Sequence, residues 1–132
     1  MSVSGEQLVE LALVARQNAY ARYSNYTVGA ALIDDQGHVH TGCNVENAAY
    51  PLGNCAEAAA IAAMVNAGGR RIVAIAVVGG KGDVGACTPC GGCRQRIQEF
   101  ADDDTTIIVH DDSEGWRTYT IAELLPASFH LI

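Results

Sequence analysis

Leu8, Leu11, Ala12, Ala15 and Ala19 return every three or four positions, the spacing that lines one face of a helix. Ser4 and Gln7 have the form of a capping box, so the spacing predicts a first helix from about Gly5 to Tyr20. The pattern then changes. Val28 to Ile33 is almost wholly apolar, Asp34 to Gly37 supplies turn residues, and Val39 to Cys43 resumes an extended run, which together predict a hairpin. An alanine-rich helix follows over Ala56 to Val65, opened by Asn54 as a cap and closed at Gly68-Gly69. Ile72 to Val78 is continuously apolar, as expected of a strand buried on both faces. Beyond the glycine-rich stretch from Gly79 to Gly85, Pro89 introduces another helix, on which Cys90 and Cys93 share a face. Thr105 to Val109 predicts a strand, Arg117 to Thr120 a short edge strand, and Ile121 to Leu125 a short terminal helix. This alternation, without linker or repeat, predicts a mixed α/β layer in a single domain, 1–132.

Composition narrows the classes of function. The 49% hydrophobic content argues against disorder, and no apolar run approaches the roughly 20 residues that span a bilayer, so no membrane association is expected. The first residues lack the pattern of a secretory signal, which makes the cytoplasm the expected location. A formal charge of −7, with eight Lys and Arg scattered singly, would repel a phosphate backbone; a small molecule is expected in place of a nucleic acid. The loop from Gly79 to Gly85 lacks the Gly-Lys-Ser/Thr ending of a phosphate-binding loop. Five cysteines, an odd number, favour reduced thiols and a metal over a disulfide framework.

Two segments carry the chemistry. Asn54-Cys55-Ala56-Glu57 and Thr88-Pro89-Cys90-Gly91-Gly92-Cys93-Arg94-Gln95 hold three thiols, a carboxylate and a guanidinium. Catalytic zinc sites supply three protein ligands and keep a position for water. Cys55, Cys90 and Cys93 are that ligand set for one Zn2+ per subunit, and Glu57, beside the metal without binding it, is the general acid and base. Three thiolates work against acidification of water; the predicted helix starts offset this with their dipoles, and Arg94 can donate hydrogen bonds to a thiolate. Other readings stand beside this one. Glu57 can be a helix-cap partner of Asn54, Cys43 or Cys87 can close a four-ligand structural site, and Cys87, Cys90 and Cys93 form part of an iron–sulfur spacing whose final element is absent. Trp116 and the four histidines match no motif.

In both of these segments the chain resembles the small cytidine deaminases. The likeness extends to Tyr23 through Leu32, to Thr41-Gly42-Cys43-Asn44-Val45-Glu46-Asn47, and to Leu124-Leu125-Pro126 through Phe129, in order over nearly the whole length. It implies a cytidine-deaminase-like sandwich, a mixed five-stranded sheet with helices on both faces, and zinc-dependent hydrolysis of cytidine and deoxycytidine in pyrimidine salvage. It also implies that Asn44 and Glu46 bond the sugar hydroxyls, that Tyr26 lines the pocket, and that backbone near Ala56 receives the amino group. Phe129 would contact the base in a neighbouring subunit, which implies a homotetramer with shared sites. One departure is Ala58, where many relatives carry an arginine that offsets the thiolates. Another cytosine compound such as blasticidin S is the alternative substrate, and a non-catalytic zinc-stabilised binding module the alternative class.

Overall fold

The computed structural model describes residues 3–113 and 115–132. Leu8, Ala12 and Ala15 form the buried face of α1 (Gly5–Arg16). Its capping box closes in both directions, Ser4 N–H to Gln7 Oε1 at 2.8 Å and Gln7 N–H to Ser4 Oγ at 3.2 Å. The helix ends at Arg16, short of the Tyr20 that apolar spacing predicts. Gln17, Asn18 and Ala19 donate to carbonyls three residues back, and Tyr20 N–H turns away to Asn44 O at 3.0 Å; a tertiary bond ends the helix where its periodicity continues.

Five strands follow: β1 (Thr27–Asp34), β2 (Val39–Cys43), β3 (Ile72–Gly80), β4 (Thr106–Asp111) and β5 (Gly115–Tyr119). They form one sheet in the order β2-β1-β3-β4-β5. Among the described residues only the β3/β4 strand pair is parallel, so the sheet is mixed, as the resemblance implied. Side chains alternate across it with period two. Ala31 and Ile33 cluster with Ala76, Val78 and Ile108 against Leu8 and Ala12 of α1. Ala30, Leu32, Ile75, Val77, Ile107 and Val109 face the opposite way, onto α2 (Ala56–Asn66), α3 (Gly91–Phe100) and α4 (Ile121–Leu124). Both faces are therefore covered.

One contact between layers positions the site. A methyl group at Gly42 of β2 would lie 2.5 Å from Ala56 O and 2.7 Å from Ala59 Cβ and Ala60 N. Only glycine lets the first turn of α2 settle this closely on the sheet, and that turn carries Cys55, Ala56 and Glu57.

Candidate active site

The α2 helix begins at Ala56, as the sequence predicts, but its N-cap is Cys55 and not Asn54. Asn54 is held outside by a two-way backbone bridge to Val45, with both N···O distances 2.9 Å. Cys90 likewise caps α3, and Cys93 lies in that helix's first turn. These two helix starts bring the sulfurs of Cys55, Cys90 and Cys93 within 4.8 Å of one another. Zn–S bonds of about 2.3 Å in a tetrahedron require sulfurs about 3.8 Å apart, so the cluster suits zinc and leaves a fourth position open. Neither Cys43 nor Cys87 belongs to the cluster; the Tyr26 hydroxyl, near Cys87, donates to Ala86 O at 3.5 Å.

Electrostatics separate the three thiols. Burial pushes Cys55 and Cys93 up, whereas the Cys93 N–H holds Cys90 below the ordinary thiol value, the expected effect of a helix start on an anion. Glu57 is only 4% exposed, and burial pushes its carboxyl up against the opposing pull of its own N–H, Cys93 and the Arg96 guanidinium. A carboxyl so placed can hold a proton and release it, which a solvated one does poorly near neutral pH. Tyr26 is pushed up to about 12, first by burial and then by the neighbouring Cys87 thiol.

A cavity of about 610 Å³ opens over this chemistry. Tyr26, Asn44, Glu46, Cys55, Ala56, Glu57 and Cys90, all singled out from the sequence, meet in its wall, and Cys93 lies buried behind them. Asn44 is fixed by Val28 N–H to its Oδ1 and by its Nδ2 to Tyr26 O, both 2.8 Å. Glu46 accepts from Tyr23 N–H at 2.9 Å, Ser24 N–H at 3.1 Å and the Ser24 hydroxyl; the hydroxyl bond leads the causes that lower its carboxyl.

Phe129, expected in a neighbouring subunit's pocket and not in this one, and Arg94 both lie outside the cavity wall. Phe129 is 67% exposed, and its carbonyl accepts from Gln95 Nε2 at 3.2 Å. Arg94, expected to donate to a thiolate, instead donates to Pro89 O at 2.8 Å, Leu124 O at 2.8 Å and Thr88 Oγ1 at 3.2 Å. Its guanidinium staples α3 to α4 and to the preceding loop. The arginine that reaches the cluster is Arg96, 3.9 Å from Cys93 Sγ. Sequence reasoning passed over it, although its i+3 spacing from Cys93 is the available signal. Cys87 and Tyr50 also line the cavity, Tyr50 from a single 3₁₀ turn at Tyr50–Leu52 with no periodic signal. His40 bonds Asp34 and His110 packs on Trp116; neither lines the cavity.

Three convergent thiols with an open fourth position, a buried carboxyl that does not join them and a pocket in front define a metal-dependent enzyme that activates water. Residues 2–109 match the model of the cytidine and deoxycytidylate deaminase zinc-binding region. The cytidine deaminase of Sporosarcina psychrophila is 40% identical over 124 residues, 94% of this chain and 90% of that protein. That of Mycobacterium tuberculosis is 42% identical over 117 residues, 89% and 83% of the two. The crystal structure of cytidine deaminase from Burkholderia pseudomallei superposes with a TM-score of 0.86 at 42% identity, covering 96% of this chain and 100% of that one. The Mycobacterium tuberculosis structure gives 0.84 at 41% identity, covering 98% and 100%. The chain belongs to the cytidine and deoxycytidylate deaminase zinc-binding family, whose metal is zinc.

Proposed function

We propose that the chain, acting as one domain over 1–132, hydrolyses cytidine and deoxycytidine to uridine and deoxyuridine with release of ammonia, in cytoplasmic pyrimidine salvage. The observation that carries this reading is Glu57, buried in the first turn of α2, two residues beyond Cys55 and in the wall of the cavity. Cys55, Cys90 and Cys93 would hold one zinc ion per subunit, and zinc there supplies the Lewis acid that makes water nucleophilic near neutral pH. Glu57 takes a proton from the attacking water as its oxygen bonds to C4 of the pyrimidine, and gives that proton to N3. It then carries the second proton to the amino group as the C–N bond breaks. Water and cytidine leave as uridine and ammonia, with Glu57 as it began.

Asn44 and Glu46, both in the cavity wall, would bond the sugar hydroxyls, Tyr26 would offer an aromatic face, and backbone at Ala56 would receive the amino group. Phe129 would complete a neighbouring subunit's pocket in a homotetramer. Its exposure supports this, as do Tyr50 at 77%, Leu52 at 71% and Leu131 at 86%, apolar side chains that an isolated chain leaves in water. The net charge of −7 argues against nucleic acid, and among the described residues no helix is long and apolar enough to cross a membrane.

Zinc-loaded protein should release ammonia stoichiometrically with the loss of cytidine absorbance. Glu57→Gln should keep its zinc and lose roughly a hundredfold or more in turnover, since an amide preserves shape without shuttling protons. Failure to release ammonia from either nucleoside, or a Glu57→Gln protein at half the parental rate, would refute the reading.

A further inference from the structure

We infer that Arg96 is the cation that balances the thiolate cluster, a positioning residue for the metal that the sequence pattern assigned to Arg94. The inference rests on the zinc centre proposed above. Three thiolates around Zn2+ carry a net charge of −1, and Glu57, buried close by, adds another when ionised. Position 58 on α2 is alanine, and the Arg94 guanidinium is committed to two carbonyls and a hydroxyl. Arg96 fills the gap. Side chains on a helix lean towards its N-terminus, so a residue at i+3 from Cys93 naturally lays its head group over that sulfur.

Two observations show that this guanidinium is drawn to the site. Its Nη1 lies 3.9 Å from Cys93 Sγ, and a methyl group at Gly92 would lie 3.2 Å from the same nitrogen. The guanidinium is thus folded back over the first turn of α3, and Gly92 leaves the space for it. A cation over a helix N-terminus works against the macrodipole. An exposed arginine without a local anion would extend into water instead. The anion at this place is the sulfur of Cys93, itself 0% exposed and out of reach of solvent counterions.

The test reads zinc affinity by chelator competition, with no nucleoside present. Partners behind metal ligands typically contribute roughly ten- to hundredfold in affinity, and Arg96→Ala should lose that much. Arg96→Lys should recover part of the loss, because charge returns without the planar fork. The zinc-free Arg96→Ala protein should melt with the parent, which a purely structural role would not allow. If it melts early, Arg96→Gln decides, since the amide keeps most of the stem and removes the charge. Affinity within twofold of the parent in Arg96→Gln, or in a stable Arg96→Ala, overturns the inference. Tight zinc binding by a parent that deaminates nothing would sink the proposed activity and leave this result standing.

Discussion

Replacing Gly42 with alanine tests whether the close seat of α2 on β2 sets the catalytic geometry. The added methyl group would meet Ala56 O at 2.5 Å and Ala60 N at 2.7 Å, backbone atoms that no rotamer change can move. Restoring a carbon–oxygen contact of about 3.4 Å requires α2 to withdraw by roughly 1 Å. Overpacking of this kind costs about 2 kcal/mol, which lowers the melting temperature of a domain this size by roughly 8 °C. The functional cost follows from which residues move. Cys55 and Glu57 ride on α2 whereas Cys90 and Cys93 stay with α3, so the withdrawal opens the ligand set and displaces the proton carrier. A 1 Å misplacement of reacting groups costs on the order of a hundredfold in kcat/KM. Thermal melts, zinc content and cytidine turnover measure the three effects. Gly85→Ala is the control, since nothing lies within 4 Å of the added carbon there. A Gly42→Ala protein that melts within 2 °C of the parent and keeps half its kcat/KM, a threshold of about 0.4 kcal/mol, would show that the contact is slack and the reasoning wrong.

Arg94→Ala should destabilise the fold by about 2 kcal/mol through loss of its bonds to the Pro89 and Leu124 carbonyls, yet weaken zinc less than Arg96→Ala does; the opposite ranking in chelator competition would restore Arg94 to the metal. Asp34 is buried, and although burial raises its carboxyl, bonds from His38 N–H, the His40 ring and Gln36 N–H hold it below the ordinary value. A lowered folded pKa contributes stability that is complete above the unfolded value, near 4, and is lost as pH falls through the folded one. The stability gap between metal-free parent and Asp34→Asn should therefore shrink below about pH 4 in urea titrations, and a constant gap would contradict this. Mixing and reassembling inactive Glu57→Gln with impaired Phe129→Ala protein should recover activity if pockets are shared. Light scattering should give a tetramer for the parent, and absence of rescue despite proven subunit exchange would leave Phe129 as a packing residue.

Local chemistry made most of the elements legible in the sequence. The hairpin came out within a residue at each strand because Asp34 to Gly37 can do little but turn, and the capping box fixed the start of α1. What differed was decided by distant partners. The end of α1 depends on a bond from Tyr20 to Asn44, and the cap of α2, Cys55 in place of Asn54, on the bridge from Asn54 to Val45; neither contact is encoded in local spacing. The site shows the same division. Residue types and short spacings nominated Cys55, Glu57, Cys90 and Cys93, whereas which of two arginines on one helix lies near the thiols turned on where the Pro89 and Leu124 carbonyls lie.

The sheet's two faces also divide this protein into compartments that can evolve at different rates. The cluster beneath α1, built on Leu8, Ala12, Ile33, Ala76 and Val78, contributes no residue to the cavity wall. On the other face, Ala56, Val28 and Cys87 belong to the cavity and pack in or against the core at once, so a change there alters stability and chemistry together. Adaptation to heat or cold is therefore open to a lineage through exchanges under α1 that leave substrate handling alone. A laboratory seeking a sturdier catalyst has the same starting point.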